Sequence, residues 1–65
     1  MSEELDTAQR YRVRAEELRA IAAEDLTHTN REALEKIAKD YERMARTLEA
    51  IDLSNRAMRR PRDAN

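Results

Sequence analysis

Six apolar residues, Leu34, Ile37, Tyr41, Met44, Leu48 and Ile51, recur at steps of three, four, three, four and three. That alternation keeps one apolar stripe on one face of an α-helix. Sustained over more than two heptads, it reads as a seam of a and d positions that seeks a second helix. A β-strand alternates with a period of two, so the same pattern would scatter across both faces of a sheet. This stripe fixes the fold class as all-α.

The rest of the chain agrees. There is no Gly, the one Pro is Pro61, and the aromatics are the two tyrosines. Most of the remaining residues are strong helix formers. Charged residues make up 42% of the chain, a level that would suit disorder if no periodicity accompanied it. A weaker stripe precedes the first. Ala8, Tyr11, Ala15, Leu18 and Ala22 lie at helical spacing, and Ile21 and Leu26 widen it. Ser2 suits the N-cap position, with Glu3 and Glu4 in the first turn where the helix dipole favours acid. Asp6 and Gln9 offer a second start with capping-box spacing.

Between the stripes lies Thr27-His28-Thr29-Asn30, four successive poor helix formers. Thr29 with Glu32 has capping-box spacing, and Asn30 is another good cap. The sequence therefore predicts an antiparallel helical hairpin over residues 1–53. Helix one runs over about 4–25, a turn over about 26–29, and helix two over about 30–53. One continuous helix is the alternative. Ser54 and Asn55 interrupt the pattern and Pro61 is expected to stop it. Residues 54–65 are thus expected to form a basic C-terminal tail, partly disordered. In helix two, Ala38 and Ala45 follow Ile37 and Met44 directly, and small side chains there let another helix approach closely. Glu32–Lys36, Glu35–Lys39 and Glu42–Arg46 have the spacing of helix-stabilising ion pairs.

A 65-residue chain buries a small share of its surface and is marginal alone. Small scaffolds commonly add disulfides, a metal or oligomerisation. There is no Cys and one His, which leaves oligomerisation. A lone hairpin would leave half of each seam in water. Two hairpins pairing seam to seam would form a four-helix bundle. The expected seam is Tyr11, Leu18, Ile21, Leu34, Ile37, Tyr41, Met44, Leu48 and Ile51. The expected partner is a second copy, as a homodimer. A higher oligomer, and a chain that folds only on some other protein, are the alternatives.

The runs Tyr11-Arg12-Val13-Arg14-Ala15-Glu16-Glu17-Leu18-Arg19 and Ile37-Ala38-Lys39-Asp40-Tyr41-Glu42-Arg43-Met44-Ala45 form a recurring pattern. Over roughly residues 8 to 50 it resembles small uncharacterised two-helix proteins of α-proteobacteria. The resemblance implies a bacterial cytoplasmic hairpin and brings no functional residues.

Chemistry-bearing groups are sparse. His28 has Glu24, Asp25 and Glu32 within reach in sequence, but a zinc site needs three or four ligands in fixed geometry. A solvated turn residue is the simpler reading, and no metal or cofactor is expected. Tyr11 and Tyr41 read as core residues whose hydroxyls reach water or a carboxylate. The basic groups of helix one, Arg10, Arg12, Arg14 and Arg19, match Glu35, Asp40, Glu42 and Glu49 of helix two for cross-helix pairing. No nucleophile–base set or Gly-rich phosphate loop is visible, so no enzyme is expected.

The charge is uneven. Residues 1–53 carry nine basic and thirteen acidic groups, whereas residues 54–65 carry Arg56, Arg59, Arg60 and Arg62 against Asp63. That arginine cluster could contact a polyanion, as basic tails do. A nucleic-acid-associated accessory protein is therefore the second functional reading, although no aromatic is placed to stack on bases. No apolar run is long enough for a membrane span, and mixed charges on the polar faces disfavour a membrane surface. The acidic N-terminus lacks the pattern of a signal peptide, so the cytoplasm is expected. The leading reading is a small homo-oligomeric helical module for interaction or structure.

Overall fold

The computed structural model describes residues 2–24 and 27–63, with side chains through Met58. Two helices make up the chain: α1, Glu3–Glu24, and α2, His28–Asp63. They pack antiparallel. Arg12 of α1 meets Glu49 of α2, and Arg19, seven residues further along α1, meets Glu42, seven residues earlier in α2. The hairpin is a narrow slab of 60 × 16 × 11 Å.

The start of α1 is built as its sequence suggests. The Leu5 amide donates to Ser2 Oγ at 3.1 Å, and the Asp6 amide donates to the Ser2 carbonyl at 3.0 Å. Glu3, Glu4 and Asp6 fill the acidic first turn. α2 begins earlier than capping by Thr29 or Asn30 would place it. The Arg31 amide donates to the Thr27 carbonyl at 3.0 Å, so the chain turns helical at His28. Asp25 and Leu26, the residue expected to widen the first stripe, lie outside the described residues.

α2 also ends later than expected. It runs to Asp63 rather than stopping near Leu53. Ser54 and Asn55 are weak helix formers but not breakers, and the Asp52–Arg56 pair, 2.9 Å at i,i+4, bridges them. Pro61 removes one amide donor close to the helix end, where one lost bond is tolerated more easily than in the interior. At 36 residues against 22, α2 runs past the start of α1.

Alanine dominates the contact between the helices. Ala8, Ala15 and Ala22 of α1 are buried, and so are Ala38 and Ala45 of α2. Each set steps by seven residues, which returns to nearly the same face of a helix. Leu18 is the large side chain buried among them, and Leu34 and Tyr41 pack against it from the flank. The next step of seven in α2 is Asp52, also buried, whose carboxylate takes Arg56 as partner. Among the described residues, no large side chain is fully buried. The core is therefore thin, a line of methyl groups rather than a layer of leucines.

Candidate interaction face

With the alanines at the contact, the residues beside them divide between the two broad faces of the slab. Arg12 and Arg19 in α1, and Glu42 and Glu49 in α2, stand on one side of the alanine line. Tyr11 and Leu18 in α1, and Leu34, Tyr41 and Leu48 in α2, stand on the other. The division follows from helical spacing alone. A residue three positions after one alanine of a row, and so four before the next, leans to one side; a residue four after, and so three before the next, leans to the other.

The first face is polar and bridged. Arg12 donates from Nε and Nη2 to the two oxygens of Glu49, at 2.9 and 2.7 Å. Arg19 donates from both Nη atoms to the two oxygens of Glu42, one bond being 3.1 Å. Both are forked guanidinium–carboxylate contacts, which fix geometry as well as charge. These hydrogen bonds hold the Glu42 and Glu49 carboxyls below their ordinary range, reinforced by the charges of the same arginines. The same bonds raise the already high values of Arg12 and Arg19.

The expected cross-helix pairing is thus made by two of the four arginines. Arg10 turns to the Thr7 hydroxyl, and Arg14 to Glu17 in its own helix. Asp40 pairs locally with Arg43. Glu42 reaches across to Arg19 rather than along the helix to Arg46, and the Glu32 carboxylate lies beside His28 at 3.4 Å.

The second face is apolar and open. The rings of Tyr11 and Tyr41 meet across the helices with centroids 5.5 Å apart and planes tilted by 48°. Beyond them, on the same side, the side chains turn outward. Ile37, Met44 and Ile51 are 44%, 40% and 42% exposed, and Ile21 on α1 is 50% exposed. Leu34, Tyr41 and Leu48 are half-buried. A groove of about 360 Å³ opens here, lined by Thr7, Tyr11, Arg43, Met44, Thr47 and Leu48.

The nine seam residues read from the sequence therefore fall into three groups. Leu18 is buried, Tyr11, Leu34, Tyr41 and Leu48 are half-buried, and Ile21, Ile37, Met44 and Ile51 are exposed. All share one side of the hairpin, and of them Leu18 joins the alanines in the inner contact, with Leu34 and Tyr41 packed against it. That contact lies one residue further along α2, on Ala38 and Ala45. Two alanine rows with a common seven-residue step, one in each helix, were the signal for it. Asp52 was not singled out as a core residue, although it continues the row of Ala38 and Ala45.

The other candidates are less assembled. Arg56 donates from Nε to Asp52 at 2.9 Å, while the side chains of Arg59, Arg60 and Arg62 lie outside the described residues. Among the described residues, no group of three or more His, Asp or Glu side chains is placed to hold a metal ion. No helix is long and apolar enough to cross a membrane, among the residues described.

The fold and its faces define a class, an antiparallel two-helix hairpin with an alanine contact, one ion-paired face and one open apolar face. Beyond that class, no protein family, curated protein or solved structure matches the chain.

Proposed function

We propose that this chain is a small homo-oligomeric helical module, and that its open apolar face is where copies assemble. One observation carries the reading. Alanines take the contact inside the hairpin, and so Ile37, Met44 and Ile51 stand 40–44% exposed in a single row. Isolated exposed apolar residues are ordinary on protein surfaces, but a continuous row beside a groove marks an interaction site.

The thin core supports the same reading. A chain of this size needs a further source of stability, and a line of alanines supplies little apolar burial by itself. Covering the open face adds isoleucine, methionine, leucine and tyrosine surface at roughly 25 cal/mol per Å² of apolar area removed from water. The bridged face, with two forked Arg–Glu contacts, is suited to remain in solvent. The assembled unit is then a four-helix bundle with ion pairs outside and large apolar side chains between hairpins.

Met44→Glu tests the reading directly. A carboxylate at the centre of the row cannot be desolvated without a partner. The expected result is a shift of the solution mass to that of one chain, with a lower melting temperature. An unchanged oligomeric mass in the variant would remove this face from the assembly.

A further inference from the structure

The open face is also self-complementary. We infer that two copies meet α2 against α2, antiparallel, about a two-fold axis that passes beside Met44; this rests on the assembly proposed above and specifies its arrangement. Met44 lies midway between Ile37 and Ile51, seven residues from each. Turning one copy end over end about Met44 superposes Ile37 on Ile51 of the second copy and Ile51 on Ile37. The row therefore meets itself without an offset.

α1 follows the same symmetry. The Arg12–Glu49 and Arg19–Glu42 pairs set the register of the hairpin, and they put Met44 level with Glu16 and Glu17. The same turn then brings Ile21 level with Arg12 and Val13 of the second copy, within two residues of Tyr11. It also brings Arg14 close to the level of the second copy's Arg19 and Ala20. The groove lined by Thr7, Tyr11, Met44 and Leu48 receives Ile21 and Ile37 of the second copy, two of the most exposed side chains on this face.

The other way to stack the same faces has its two-fold axis along the helices. It lays the Ile37–Met44–Ile51 row over α1 of the second copy, whose open side carries Arg10 and Arg14. Charged groups there would lose water against isoleucine and methionine, whereas the end-over-end arrangement sets that row against its own copy and leaves Arg14 beside its ion-pair partner Glu17.

Area is consistent with a specific dimer. α1 is ~33 Å long at 1.5 Å per residue, and the slab is 16 Å wide. Two such faces amount to roughly 1,000 Å², near the lower bound for a specific protein–protein interface.

Cysteine cross-linking tests this arrangement cleanly, because the chain has no Cys. A disulfide forms only where the two Cα atoms approach to within ~7 Å. Met44→Cys places the two thiols at the axis. Under mild oxidation it is expected to form a covalent dimer about tenfold faster than Lys39→Cys on the far side of α2, given that distance limit. A second pair covers the case in which Met44→Cys fails to fold. Ile37→Cys mixed with Ile51→Cys is expected to give the mixed disulfide, whereas either alone holds its own thiols ~21 Å apart along the helix and links slowly.

Light scattering on the unmodified chain separates the two levels of the proposal. A dimeric mass with no preference for the 44–44 or 37–51 links would overturn the arrangement and leave self-association standing. A mass of one chain would overturn both.

Discussion

At the scale of single residues, the size of the side chain decided which row became the contact. Ala38 and Ala45 lie beside Ile37 and Met44 in sequence, and the periodicity of either row could face α1. The alanine row faces inward because Ala8, Ala15 and Ala22 match it across the interface, so two backbones can approach closely. The larger residues then fit only at the flanks. Ala38→Leu should force the helices apart and cost ~1–3 kcal/mol, the usual range for overpacking. Urea unfolding would measure it, and an unchanged midpoint would show that the alanine contact is not tight.

Asp52 makes the opposite case. It occupies an alanine-like position as a buried carboxylate, held by an Arg56 side chain that is itself largely exposed. Replacing a buried charge by a small apolar group is often neutral or stabilising, provided that no charge is left buried without a partner. Asp52→Ala should therefore keep or raise the melting temperature. A clear fall would mean that the carboxylate contributes to stability.

At the scale of the helices, the sequence disclosed the elements more fully than their junctions. The all-α hairpin was legible because α2 carries an apolar row at heptad spacing and no Gly. The Ser2 cap was legible as well, being a short polar side chain ahead of an acidic turn. The entry into α2 at His28 was less so, since Thr27, Thr29 and Asn30 all make acceptable caps and their order of preference is set by the turn geometry. The extension to Asp63 was hidden because Ser54 and Asn55 look like a stop, while the Asp52–Arg56 bridge depends on Asp52 being buried. The split of the seam into inner alanines and an outer apolar row was present as spacing. Which row turned inward depended on the pairing of two helices, which neither stripe specifies alone.

The ion-paired face gives the helix pair a pH dependence. Glu42 and Glu49 are held below their ordinary value of 4.5 when folded. Near that value the unfolded chain binds more protons than the folded one, so stability rises with pH. The contribution is fully present above about 4.5 and is lost as pH falls through the lowered folded-state values. Melting followed by circular dichroism from pH 6 to pH 3 should show a fall in the unmodified chain. The fall should be shallower in the Glu42→Gln, Glu49→Gln double variant. Equal slopes in the two would mean that these bridges do not respond to acid in this way. Arg12 and Arg19 are shifted upward, so their share is lost only at extreme alkaline pH.

At the scale of the molecule, the hairpin is asymmetric across its thickness, with bridged charge on one broad face and uncovered apolar side chains on the other. A helix pair built to stand alone would turn its largest apolar groups inward. This one turns alanines inward and presents isoleucine, methionine and tyrosine. Chain length and the lack of Cys led from the sequence to the expectation of a second hairpin. In the proposed assembly the surface that a second copy covers is the row centred on Met44, with the groove beside it. The measurement that tests this most directly is the solution mass by light scattering across a range of concentrations. The expected result is a helical species at twice the 7.6 kDa chain mass, giving way to single chains on dilution. A stable, fully helical species at 7.6 kDa at every concentration would contradict the account, because the open face would then need no partner.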